Sequence, residues 1–170
     1  MWHLLQQIRK VGIISEPAPD ADMAMLQHEL QEQIARVFGR ALAIRQVDAG
    51  SCNGCELEIQ ALHNPYYNLE GMGIRFVASP RHADALLVTG PVSRHMAQAL
   101  RRTYEATPEP KLVIAVGDCG ACGGVFGESY ASLGAIANVI PVDVAIPGCP
   151  PTPTALLQGI LAAIGKRASS

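Results

Sequence analysis

The sequence predicts an α/β fold, a flavodoxin-like three-layer sandwich with a mainly parallel sheet, from three observations. Strand-like and helix-like stretches alternate along most of the chain. Runs such as Leu112-Val113-Ile114-Ala115-Val116 are continuously apolar rather than alternating, as in strands covered on both faces. Several of these runs end in glycine- or proline-rich turns, where a parallel sheet passes its chain to the next helix. A length of 170 residues suits one domain with a real core.

Residues 1–20 read as irregular, because Glu16-Pro17-Ala18-Pro19-Asp20 breaks the short amphipathic piece before it. Asp22 is placed to cap a helix that runs to about Phe38. Met25, Leu26, Leu30, Ile34, Val37 and Phe38 recur in it at helical spacing, and Gly39 ends it. Residues 1–40 are therefore set apart as an N-terminal extension and helix, a candidate interface, from an α/β domain over 41–170. A first strand is predicted over 41–47, then a turn entering a helix over 52–63 that Pro65 stops. Strands follow at 74–78 and 85–89, a helix at 92–104, and a strand at 112–116. A glycine-rich loop leads to a predicted helix at 130–136. The fifth strand falls within 139–146, its start limited by Pro141. Thr152 or Thr154 caps a final helix to about Ile164.

Composition narrows the function classes. Hydrophobic residues make up 49% and charged residues 16%, an apolar balance that suits a subunit partly covered by partners. The formal net charge of −2 gives no basic stripe for nucleic acid. No apolar run reaches the ~18–20 residues that span a bilayer. The start, Met1-Trp2-His3-Leu4-Leu5, lacks the apolar core and cleavage site of a secretory leader, so a cytoplasmic location is expected.

The chemistry lies in the five cysteines. Cys52 and Cys55 follow the first strand, Cys119 and Cys122 the fourth, and Cys149 the fifth. In an open parallel sheet, ligands collect beyond the carboxyl ends of the strands, and all three groups belong to that edge. Four thiolates, from Cys52, Cys55, Cys119 and Cys149, converge there on one iron–sulfur cluster in this reading. Cys52 and Cys55 sit at a helix start, whose dipole favours thiolate. Gly54, Gly120, Gly123 and Gly124 let backbone N–H groups approach sulfur. A structural zinc site is the other reading, since Cys-x-x-Cys serves zinc as well, and so is dithiol chemistry. Cys122 is either an alternative ligand or a small apolar neighbour of the site.

With these residues assembled, the chain resembles the small subunit of energy-converting, membrane-associated [NiFe] hydrogenases of the formate hydrogenlyase type. That family is related to the cluster-bearing B subunit of NADH:quinone oxidoreductase (complex I). The resemblance rests on Asp48-Ala49-Gly50-Ser51-Cys52-Asn53-Gly54-Cys55-Glu56, Ser79-Pro80-Arg81-His82-Ala83-Asp84 and Val88-Thr89-Gly90-Pro91-Val92. It continues in Pro108-Glu109-Pro110-Lys111 through Gly117-Asp118-Cys119, and in Ile146-Pro147-Gly148-Cys149-Pro150-Pro151. Together these cover about residues 44–165.

The resemblance implies one [4Fe–4S] cluster held by Cys52, Cys55, Cys119 and Cys149. It implies a [NiFe] large subunit and ferredoxin-like iron–sulfur subunits as partners. It also implies membrane subunits, which hold the complex on the cytoplasmic face of the inner membrane. The chain then passes electrons as one part of an oxidoreductase complex. Quinone-linked relatives typically carry adjacent cysteines at the first motif. Here Asn53 and Gly54 separate Cys52 from Cys55, as in the hydrogenase branch. A quinone-reducing subunit and a zinc-stabilised assembly module remain the alternatives.

Glu56 is a candidate for a proton path beside the site; its plainer role is a first-turn carboxylate favoured by the helix dipole. Asp48 and Asp118 are expected to fix loops by hydrogen bonds. Arg81 and His82 belong to the opposite edge, and His63 and His95 lack ligand spacing. Glu128 and Tyr130 are candidates to face a partner.

Overall fold

A computed structural model describes residues 21–168; the readings made for residues 1–20 lie outside them. Aliphatic runs form five strands: β1 (Leu42–Asp48), β2 (Ile74–Phe76), β3 (Ala85–Thr89), β4 (Leu112–Val116) and β5 (Val144–Ile146). All pair in parallel, in the order β2-β1-β3-β4-β5. This is the flavodoxin-type order, whose switch point lies between β1 and β3. Every residue of β3 and β4 is buried, as the continuous apolar runs predict.

Helices cover both faces. On one side α1 (Ala21–Phe38), α2 (Gly54–Ala61) and α5 (Pro153–Ala168) lie over Leu42, Ile44, Leu87, Ile114 and Val116. Leu30 and Ile34 of α1 and Leu156, Leu157 and Ile160 of α5 are buried in this layer. Met25, expected on the apolar stripe of α1, faces solvent, and Met23 is buried in that layer. On the other side Leu100 of α3 (Arg94–Ala106) packs with Val47, Leu86, Val88, Val113, Ala115 and Ile136.

Ser93 caps α3 by accepting from the Met96 N–H. Thr152 does the same for α5, accepting from the Ala155 N–H with Pro153 at the first helical position.

The helix expected at 130–136 does not form. Serine hydroxyls compete there for the backbone: Ser129 Oγ accepts from the Ala131 and Ser132 N–H groups, and Ser132 Oγ from that of Gly134. The segment makes short antiparallel bridges, Ser93 with Ser132 and Glu128 with Leu133, then a 3-10 turn at Ile136–Asn138. A short helix, α4 (Gly117–Cys122), forms instead inside the glycine-rich stretch. Strand β5 falls within the expected 139–146, and Asp143 just before it ties it to β4: its N–H donates to the Val113 carbonyl at 2.9 Å and its Oδ2 accepts from the Val113 N–H at 2.7 Å.

One register line positions the site. Asp48 lies level with Thr89, Thr89 with Val116, and Val116 with Ile146. Four strands therefore end together, and Cys52, Cys119 and Cys149 each follow within one turn of that line.

Candidate metal centre

Each cysteine turn is built by local hydrogen bonds. After β1, Asp48 Oδ1 accepts from the N–H groups of Gly50 and Ser51, both at 2.8 Å. Ser51 Oγ then accepts from the Asn53 N–H. Asn53, at φ 73°, turns the chain into α2, which places Cys55 in its first turn. Cys55 is buried and Cys52 exposed.

After β4, Gly117 opens α4 at φ +76°, and a Cβ there would stand 2.8 Å from Cys55 Sγ. Gly124, at φ +54°, passes as close to Cys119 Sγ. After β5, Gly148 leads to Cys149, and both its backbone groups bond Asp118. Asp48 and Asp118 thus fix loops as expected. A Cβ on Gly120 would meet Ile136, and one on Gly123 would meet Gly134 and Gly127, so close packing requires glycine at both positions.

Cys52, Cys55, Cys119 and Cys149 line one cavity of about 90 Å³, together with Ser51, Gly54, Gly90, Asp118, Gly148 and Pro150. None of the five cysteines is in a disulfide. Burial pushes the Cys55 thiol up from 9.0 to about 11, helped by the negative charge of Glu56 and of the Cys119, Cys52 and Cys149 thiols around it. Cys119 is raised for the same reasons, burial first, then Cys149, Cys52, Asp118 and Cys122.

The donor set fits a cluster: four soft sulfur atoms face one space, two of them approached by residues that admit no side chain. Among the described residues, no three His, Cys, Asp or Glu side chains are grouped to hold a single metal ion.

Cys122 stands outside the cavity lining, exposed, and its Sγ donates to the Asp118 carbonyl at 3.2 Å. Glu56 is buried next to Cys55, and neither carboxylate oxygen has a hydrogen-bond partner. Arg81 and His82 are exposed just before β3, at the far edge. His63 packs at a tilt against Phe76, and His95 is exposed on α3. Glu128 Oε1 accepts from Asn138 Nδ2, and Tyr130 is almost fully exposed. Sequence reasoning missed Gly117, whose signal was its place between an apolar strand and a cysteine turn.

Residues 52–163 match the family described as NADH ubiquinone oxidoreductase, 20 Kd subunit. The chain belongs to that family. The probable membrane-bound hydrogenase subunit mbhJ of Pyrococcus furiosus is 47% identical over 80% of this chain and 81% of that protein. Formate hydrogenlyase subunit 7 of Escherichia coli is 44% identical over 91% of this chain and 59% of its own length. An NADH-quinone oxidoreductase subunit of Desulfovibrio desulfuricans is 45% identical over 73% of this chain and 67% of that protein.

Among solved structures, a chain of an archaeal membrane-bound sulfane sulfur reductase superposes with a TM-score of 0.69 at 34% identity, covering 84% of this chain and 77% of that one. A [NiFeSe]-hydrogenase chain from Dm. baculatum shares the fold at a TM-score of 0.57 and 16% identity, over 74% of this chain and 63% of that one. The 20 Kd subunit family is one of oxidoreductase-complex subunits, and its hydrogenase and complex I members both stand close to this chain. No helix among the described residues is long and apolar enough to cross a membrane.

Proposed function

We propose that this chain holds one [4Fe–4S] cluster on Cys52, Cys55, Cys119 and Cys149. It relays electrons between ferredoxin-like subunits and the nickel–iron site of a large hydrogenase subunit. The observation that carries this reading is the single cavity lined by those four thiols at the level ends of β1, β4 and β5. The Cys-x-x-Cys spacing at the first motif and the similarity to two hydrogenase subunits favour hydrogenase over quinone chemistry. In this reading the complex sits on the cytoplasmic face of the inner membrane, held there by partner subunits. The division into a partner-facing segment, 1–40, and a cluster domain, 41–170, belongs to the same proposal.

The cluster, when bound, supplies one-electron redox chemistry. The chain's own residues do the rest. The four thiols hold it, and Gly117 and Gly124 keep side chains away from the sulfurs of Cys55 and Cys119. Burial of Cys55 keeps water from the inner side, while Cys52 and Cys149 reach the surface where a partner docks. Cys122 binds no metal, and Glu56 stands buried beside the site, next to Cys55.

The test is iron and acid-labile sulfide analysis of the anaerobically purified complex, with low-temperature EPR after reduction. Four irons and a reducible cubane signal, lost in Cys52→Ser, Cys55→Ser, Cys119→Ser and Cys149→Ser but kept in Cys122→Ser, are expected. Zinc without a reducible signal overturns the proposal. The second reading, a quinone-linked role, draws on the 45% identity to the Desulfovibrio desulfuricans protein. Nickel in the co-purified large subunit excludes it; a large subunit without nickel supports it.

A further inference from the structure

We propose that Asp118 is a positioning residue that clamps the turns of Cys119 and Cys149 together and lays a negative charge against the cluster. The inference rests on the cluster proposed above. The Asp118 N–H donates to the Gly148 carbonyl at 2.9 Å, and Asp118 Oδ1 accepts from the Gly148 N–H at 2.8 Å. Both backbone polar groups of Gly148 therefore end on one residue. Cys119 follows Asp118 and Cys149 follows Gly148, so this two-bond ring fixes one thiol against the other.

Asp48 shows the contrast. Its Oδ1 closes only its own turn, and it does not line the cavity, whereas Asp118 does. No salt bridge among the described residues neutralises Asp118. Reduction adds negative charge to a thiolate-bound cluster. A carboxylate on the cavity wall opposes that addition and holds the reduction potential down.

Two variants separate clamp from charge. Asp118→Asn keeps an acceptor oxygen and removes the charge; Asp118→Ala removes both. In the full chain, Asp118→Ala is expected to speed amide exchange at Gly148 by roughly tenfold or more, because a charge-assisted hydrogen bond is lost. Asp118→Asn is expected to exchange at a rate between Asp118→Ala and wild type. In the complex, Asp118→Ala is expected to lose cluster iron and sulfide, while Asp118→Asn keeps them and titrates at a higher potential.

Wild-type exchange at Gly148 in Asp118→Ala overturns the clamp. An unshifted or lowered potential in Asp118→Asn overturns the charge role. If Asp118→Ala does not fold, Asp118→Asn still tests both claims, since unaltered exchange and potential together refute them. If wild-type protein takes up no iron, the proposed function fails, and Gly148 exchange still judges the clamp by itself.

Discussion

Replacing Gly117 with alanine tests the packing logic of the site. The residue stands at φ +76°, where an L side chain is strained, and its Cβ would lie 2.8 Å from Cys55 Sγ and 3.1 Å from the Gly148 carbonyl. The left-handed backbone costs about 1–2 kcal/mol. Overpacking against a buried sulfur and fixed backbone costs about 1–3 kcal/mol more. The total, about 2–5 kcal/mol, is a large part of the ~5–15 kcal/mol that keeps a domain folded.

At about 2–4 °C per kcal/mol for a domain of this size, Tm falls by about 4–20 °C. Gly39→Ala is the control. It shares a positive φ, +62°, but nothing lies within 4 Å of its Cβ, so only the backbone term applies. Its expected loss is about 1–2 kcal/mol. Circular dichroism melts of both variants, with iron content measured in the complex, make the comparison. A Gly117→Ala protein that melts no lower than Gly39→Ala and keeps its iron refutes the reasoning.

The metal-free chain is expected to lose stability as pH rises between about 9 and 11, because the Cys55 thiol sits at about 11 when folded against 9.0 ordinarily. In that window the unfolded chain has released a proton that the folded chain keeps, so unfolding free energy falls with pH. Urea melts from pH 8 upward check the slope, and Cys55→Ser reduces it, leaving the smaller part that the raised Cys119 thiol contributes in the same direction. Asp84 offers a test remote from the cysteines. It is buried, its Oδ1 accepts from Arg40 at 2.7 Å, and its Oδ2 accepts from the Ala43 N–H at 3.0 Å. Asp84→Ala leaves that buried N–H without its acceptor and is expected to cost about 1.5–3 kcal/mol in urea unfolding. Arg40→Ala, on the exposed side of the pair, is expected to cost under about 1 kcal/mol.

Much of this arrangement was legible before any coordinates. Strands β3 and β4 appear residue for residue as read, because strands covered on both faces leave an unbroken apolar run. The placement of Cys52, Cys119 and Cys149 on one edge followed from parallel topology alone. Failures came where side chains take over backbone bonding. Ser129 and Ser132 dissolve an expected helix by accepting from the backbone N–H groups of Ala131, Ser132 and Gly134. The need for glycine at 117 was harder to read, since the pressure on it comes from Cys55, far away in sequence. Likewise nothing local marks the α4 helix in a stretch as rich in glycine as Gly117-Asp118-Cys119-Gly120.

The alignment of four strand ends has a consequence for biogenesis. Cys52 emerges from the ribosome early and Cys149 late, with β3 and β4 synthesised between them. The four thiols line one cavity only once β5 has paired with β4. On the proposed assignment, a cluster held by all four thiols is completed only after the sheet is, a keystone rather than a seed for folding.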